Sequence, residues 1–356
     1  MDKVRISVAG AGLIGKTHIK LVIENEQCEL ASIVDPSPAA KDYAKELGVA
    51  LYHDLDALFS ADKPDGIILA TPNKLHAMQA HACIEADVPA IIEKPVTDSI
   101  DDAIELLKHS QREKSKLLVG HHRAYSPLLE TSKEIIQSGE LGKLVTIMGS
   151  ASFYKPDYYF DEGPWRKVKG GGPILINMIH EIGNLRHLMG EIIGVQAVSS
   201  NNTRQFEVED SVAMTLRFAS GAIGSFILSD ATSSPRSWEQ TSQENKSYAT
   251  YNQEDCYHIA GTNGSLSIPT MQVKSFNQDV TPSWWNAMEE KQVELTREDP
   301  LARQLNHFCA IIRGDETEPT VSVWDGLQNL LVIDAIIDAC ESEQYTPVRD
   351  ITPLLD

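Results

Sequence analysis

The chain has 356 residues, more than one hydrophobic core usually organises, so length alone argues for two domains. Its 31 lysines and arginines face 51 aspartates and glutamates, and the formal charge of −20 disfavours nucleic acid and anionic membrane as partners. Apolar residues at 42% and charged residues at 23% are ordinary globular values, which excludes disordered, collagen-like and coiled-coil chains.

Val4 to Val8 is a short apolar run, broken by Gly10, Gly12 and Gly15 and followed by helical spacing through Leu21 and Ile23. Glu29 to Val34 reads as a second strand stopped by Asp35-Pro36-Ser37-Pro38, and Ala39 to Leu47 as a helix ended by Gly48. Gly66 to Ala70, Ala90 to Ile92 and Leu117 to Val119 have the composition of buried strands, with helices at Leu75 to Ala86 and Ile100 to Ser110 between them. This alternation predicts a doubly wound parallel sheet, an α/β Rossmann domain over 1–125.

Beyond Pro127 strand candidates alternate in period two and are joined by hairpin signals. They are Leu144 to Phe153, Ile192 to Ser199, Ser211 to Phe218, Ala222 to Leu228, and a hairpin about Asn263-Gly264. The expectation for 126–356 is an α+β domain with a large, mainly antiparallel open sheet. The polar stretch from Ser229 to Gln253 reads as a long loop or arm, in which Trp238 would close the site or reach another subunit.

Five dispersed cysteines form no Cys-x-x-Cys, and the reading is of reduced thiols in a cytoplasmic protein. Neither a secretion signal nor a run long enough to span a membrane is read in the chain. His180-Glu181 opens like a zinc-protease motif, but Asn184 stands where its second histidine would be, so no metal site is expected.

Gly10-Ala11-Gly12-Leu13-Ile14-Gly15 follows a strand and precedes a helix, the context in which a glycine fingerprint cradles a pyrophosphate at a helix N-terminus. Asp35, twenty residues after Gly15 at the next strand end, suits a ribose diol and would repel a 2′-phosphate, which favours NAD over NADP. Thr71-Pro72-Asn73 and Glu93-Lys94-Pro95 end later strands, where ligands of open α/β sheets bind, and both loops are expected to face the nicotinamide.

On the second domain, the helix from Pro173 to Met189 is apolar on most sides yet carries Asn177, His180, Glu181 and Asn184 at three- and four-residue spacing. A buried polar stripe needs partners, which a ligand pocket or a satisfied core can supply. Tyr154, Lys155, Asp157, Tyr158, Tyr159, Trp165 and Arg166 precede it and suit a polyhydroxylated ring. Arg123 and Arg166 are candidates for a substrate carboxylate or for structural ion pairs.

Together these motifs resemble the glucose-fructose oxidoreductase, inositol dehydrogenase and MocA family of nicotinamide-dependent oxidoreductases. The resemblance extends along the chain through Ala70-Thr71-Pro72-Asn73 with His76, Val119-Gly120-His121-His122-Arg123, Gly170-Gly171-Gly172 leading to His180, and Gly261 to Leu266. It implies that Lys94 and His180 serve the reaction, that His76, Glu93 and His122 belong with the cofactor loops, and that copies assemble as a homodimer or homotetramer. The implied activity is oxidation of a secondary hydroxyl of a sugar, cyclitol or sugar acid, in the cleft between the domains. A cis-dihydrodiol dehydrogenase acting on a carboxylated cyclic diol and a non-catalytic NAD-binding regulator are the alternatives. The aspartate that many relatives carry four residues before the histidine is here Ile176, and the one three residues after it is Gly183, leaving Asn177 to hold the imidazole.

Overall fold

The computed structural model describes residues 2–354. Two compact units divide the chain. One comprises residues up to Tyr125, Pro300–Leu330 and the chain from Ile351; the other comprises Ser126–Asp299 and Leu331–Asp350. The second domain was expected to run uninterrupted to the C-terminus, but a helix at Pro300–Arg313 returns to the first unit. Leu305, Phe308, Cys309 and Ile311 of that helix join the core built by Ile6, Val8, Ile19 and Ile68, and each large apolar side chain so buried contributes about 2 kcal/mol.

In the first unit β1 (Val4–Ala9), α1 (Leu13–Glu24), β2 (Cys28–Val34), α2 (Pro38–Leu47), β3 (Ala50–Tyr52), α3 (Leu55–Ala61) and β4 (Gly66–Leu69) follow in chain order. They continue through α4 (His76–Glu85), β5 (Ala90–Ile92), α5 (Ile100–Glu113) and β6 (Leu117–Val119). The strands lie in the order β3-β2-β1-β4-β5-β6, and every pairing is parallel. The order reverses at β1 and β4, so the loops after these strands flank the switch point where doubly wound sheets hold ligands. Helix starts follow the capping chemistry of the sequence: Ser37, Asp54 and Ser99 each accept from a backbone N–H of the first turn. The short β3 and α3 are additions to the elements read from sequence, because three strand residues carry little periodicity.

The second unit contains α6 (Pro127–Gln137), β7 (Leu144–Ser152), α7 (Asp157–Asp161), a π-helical turn at Ile174–Met178, α8 (Ile179–Met189), β8 (Ile192–Ser200), β9 (Ser211–Phe218) and β10 (Ile223–Ser229). After these come α9 (Trp238–Thr241), β11 (Tyr257–Gly261), β12 (Gly264–Ile268), β13 (Gln272–Ser275) and β14 (Glu289–Gln292); α10 (Pro300–Arg313) belongs to the first unit, and α11 (Val323–Ser342) and β15 (Thr346–Pro347) follow it. The nine-stranded sheet has the order β14-β13-β12-β11-β7-β10-β9-β8-β15, antiparallel throughout except for β7 with β10. One face packs on α6, α8 and the end of α11; the other presents Met148, Val198, Ile223 and Ile227 to solvent.

The Ser229 to Gln253 stretch is less free than a loop reading implied. Trp238 is 3% exposed, its ring 5.7 Å from that of Tyr257 and its indole N–H 2.8 Å from Glu244 Oε2. An indole buried with its N–H satisfied belongs to the core of its own unit.

Candidate active site

The glycine turn between β1 and α1 is shaped by what a side chain would strike. A Cβ on Gly10, whose φ is +91°, would lie 2.4 Å from the Ala70 carbonyl oxygen, and one on Gly15 would lie 2.0 Å from the Gly10 oxygen. At Gly12, by contrast, a Cβ would meet nothing within 4 Å. Two glycines are therefore demanded by the fold, while the third leaves open space beside the N-terminus of α1. Leu13, 88% exposed, and Ile14 border that space.

Asp35 follows β2, its carboxylate oxygens accepting from the N–H groups of Ala11 and Ser37 at 2.8 Å each. Burial would raise its carboxyl, but these hydrogen bonds and that of the Ser37 hydroxyl outweigh it and lower it from the usual carboxylate value. Each oxygen retains lone-pair capacity for a diol, and the ionised group opposes a phosphate. The open glycine, the helix N-terminus and this carboxylate fit an NAD pyrophosphate and ribose.

Lys94 lies half-buried on the turn after β5. Glu93 beside it is buried: Oε1 is 2.8 Å from His18 Nε2 of α1, and Oε2 accepts from the Lys94 N–H at 3.1 Å. Burial pushes the Glu93 carboxyl up, yet His18, with Lys94 and His122 adding to it, brings it down to about 2. His76 is wholly buried, with Nδ1 2.8 Å from the Pro95 oxygen and Nε2 2.9 Å from the Thr71 oxygen. Thr71 itself donates to Gln79 Oε1. His122 is lowered to about 4 by burial and then by the Arg123 guanidinium, which makes it a neutral imidazole at neutral pH. Arg123 is 5% exposed.

In the second unit the polar stripe of α8 splits in two. Glu181 and Asn184 turn into the core, where the Tyr257 hydroxyl donates to Glu181 and receives the Asn184 amide at 2.9 Å. Asn177 and His180 stay half-buried. Asn177, the residue expected to hold the His180 imidazole, accepts from Lys155 Nζ through Oδ1 at 2.7 Å, so its oxygen is engaged by a cation. Lys155 also lies 3.5 Å from Asp230 Oδ2 and over the ring of Tyr159, and burial, opposed by Asp230, lowers its ammonium to about 8. Arg204 takes the other Asp230 oxygen at 2.9 Å and the Lys155 carbonyl at 2.7 Å.

The segment leading into His180 is built around a π-turn, a feature frequent at functional sites. Glu209 Oε1 accepts from the Ile174 N–H at 2.8 Å at its start, and a Cβ on Gly172 would lie 2.3 Å from that oxygen. The glycine run thus makes room for a carboxylate at a helix N-terminus. Of the remaining aromatic and basic candidates, Tyr154, Tyr158 and Trp165 are exposed, whereas the Arg166 guanidinium stacks 3.8 Å over the Tyr159 ring and donates to its carbonyl.

Family models decide what this geometry belongs to. The oxidoreductase-family model with an NAD-binding Rossmann fold, GFO/IDH/MocA, matches residues 4–121, and the GFO/IDH/MocA C-terminal domain model matches 129–267. The chain belongs to the GFO/IDH/MocA oxidoreductase family. It is similar to inositol 2-dehydrogenase of Rhizobium meliloti strain 1021, 26% identical over 348 residues, which cover 94% of this chain and 96% of that protein. Rhizopine catabolism protein MocA of Rhizobium meliloti is 26% identical over 194 residues, 54% of this chain but only 59% of that protein. The solved WlbA dehydrogenase from Bordetella pertussis, in complex with NADH and UDP-GlcNAcA, superposes with a TM-score of 0.76 at 24% identity, over 98% of this chain and all of that one.

As a GFO/IDH/MocA member the chain has an NAD-binding Rossmann domain and a C-terminal domain with a mixed, mostly antiparallel sheet. Reading the sequence missed His18 and Glu209. His18 sits among Ile19 and Val22 on the inner face of α1, so its burial is legible from spacing, but its carboxylate is 75 residues away. Glu209 lies 35 residues beyond the N–H it accepts from, with no local signal. Among the described residues no helix is long and apolar enough to cross a membrane.

Proposed function

We propose that the protein is an NAD-dependent dehydrogenase that oxidises a secondary hydroxyl of a sugar, cyclitol or sugar acid, with Lys94 and His180 serving the reaction. The exposure of the stripe carries this reading: Glu181 and Asn184 are buried in the core, while Asn177, which accepts from Lys155, and His180 are half-exposed. A stripe retained only for packing would be buried along its whole length.

Gly12, the N-terminus of α1 and Asp35 would hold the dinucleotide, with Thr71, Pro72, Asn73 and His122 as further cofactor-loop contacts. When bound, NAD⁺ supplies a hydride acceptor. His180 takes the hydroxyl proton, a task an imidazole performs near neutral pH, and the Lys94 ammonium donates a hydrogen bond to the oxygen as negative charge develops on it. Tyr154, Tyr158, Trp165, Arg123 and Arg166 complete the substrate contacts on this reading. Among substrates, a sugar acid is favoured by Lys155, a cation that shares its acid with Arg204. The WlbA relative was solved with UDP-GlcNAcA.

The deciding experiment mixes purified protein with NAD⁺ and a panel of sugars, inositols, uronates and cyclic diols and follows reduced cofactor by absorbance. Turnover on at least one is expected, and His180→Ala should lower it by about 10²–10⁴ while leaving NADH binding intact. Tight NAD binding with no turnover on any of them would instead support a regulator.

Copies should assemble through the outer face of the large sheet, where Met148, Val198, Ile223 and Ile227 are each about half exposed or more. A monomeric mass in light scattering would refute that assembly.

A further inference from the structure

The turn carrying Lys94 is held from both sides by buried histidines. Glu93, immediately before the lysine, is joined to His18 at 2.8 Å, with both side chains under a tenth exposed. Pro95, immediately after it, has its carbonyl 2.8 Å from His76 Nδ1. The other attachments of these histidines are to cofactor loops: His18 is on α1, one turn beyond Ile14 of the glycine turn, and the far nitrogen of His76 meets the Thr71 carbonyl at 2.9 Å. Gly120 reserves the space, since a Cβ there would sit 3.0 Å from Glu93 Cδ and Oε1.

We propose that His18 and His76 are positioning residues, which fix the Lys94 turn to the dinucleotide turn and to the Thr71 loop so that the lysine is aimed before substrate arrives. The proposal rests on the role given to Lys94 above. Stability alone is a poor reason for the arrangement, because a buried ion pair is often matched or bettered by apolar side chains of the same volume. Its partners argue for orientation: the two residues clamped are the two that flank the lysine. Glu93 is ionised at neutral pH, as a clamp through its carboxylate requires. An error of an ångström in placing such a group lowers rates by as much as about a hundredfold.

The test uses the full-length protein with NADH and needs no known substrate. Lysines are reductively methylated with ¹³C-formaldehyde, and the Lys94 resonance is assigned by its loss in Lys94→Ala. In His18→Ala this resonance should move to the position of exposed lysines while the NADH dissociation constant changes by less than about threefold, and in His76→Ala, whose ring also meets a cofactor loop, the resonance should move likewise. His18→Gln, whose amide N–H can still donate to Glu93, should restore the native resonance, and it serves in place of the alanine variant if that fails to fold. With a substrate from the panel, His18→Ala should lower kcat about tenfold with little change in the KM for NAD⁺, and His18→Gln should recover most of it. An unmoved Lys94 resonance in the histidine variants overturns the clamp. Absence of turnover in the wild-type protein overturns the dehydrogenase reading and leaves the resonance test standing.

Discussion

The two units bury charge in different ways. In the nucleotide-binding unit the Glu93 carboxylate is met by His18 at 2.8 Å and by the backbone N–H of Lys94, and its carboxyl falls to about 2. In the sheet unit the Lys155 ammonium stands 3.5 Å from an aspartate that is already bonded to Arg204, and it falls to about 8. Burial opposes ionisation in both, but only the first charge is compensated well enough to be held across the pH range of a cell. A fully matched charge fixes geometry, whereas a partly matched one retains capacity for a ligand. The same contrast separates the glycine turn, where backbone contacts leave little freedom, from the His180 region, where side chains compete for partners.

The largest effect should come from the backbone-built side. Gly15→Ala forces a methyl to within 2.0 Å of the Gly10 carbonyl, whereas Gly12→Ala meets open space at a φ of −72° that any residue adopts. Thermal or denaturant unfolding should therefore show Gly15→Ala destabilised by about 3 kcal/mol or more, and Gly12→Ala within about 0.5 kcal/mol of the parent. NADH fluorescence titration should nevertheless find binding weakened about a hundredfold in Gly12→Ala, if its emptiness is room for the pyrophosphate. Equal unfolding losses in the two variants would erase the distinction between a glycine required by the fold and one required by the ligand.

That distinction also explains what was legible in the sequence. Gly10 to Gly15 and Asp35 are read from local order because strand, turn and helix fix their geometry within a few residues. The Lys94 turn and the helix bearing His180 were found through short motifs. Lys155 was seen as a substrate contact, but its hold on Asn177 depends on a π-turn and on the strand end at Asp230, neither of which leaves a periodic signal. The return of α10 to the first unit was equally hidden. An amphipathic helix announces that it has an apolar face without saying which core receives it.

The matched pair predicts a specific acid response. Glu93 is ionised down to about pH 2 in the folded protein, whereas in the unfolded chain it would protonate near 4.5, so its contribution is complete above about pH 4.5 and is lost as pH falls toward 2. The difference corresponds to about 3 kcal/mol. Glu93→Gln should flatten the dependence of Tm on pH across that window, and an unchanged acid limb would mean that the His18 contact does not stabilise the carboxylate.

The partly matched cation predicts a smaller effect, visible in substrate affinity rather than stability. Lys155 is charged below about pH 8 and neutral above it, so attraction to a substrate carboxylate should be present at pH 7 and fade through pH 8 to 9. For a uronate the KM is expected to rise about tenfold over that interval, the scale of one charge-assisted hydrogen bond, while a neutral inositol shows no matching rise. Lys155→Met should give the high uronate KM at every pH. The control matters because His180 and the cofactor site act on both substrates, and a loss shared by uronate and inositol would trace the limb to them. A limb confined to the uronate and abolished in Lys155→Met would instead place the titration on the cation whose aspartate is shared with Arg204.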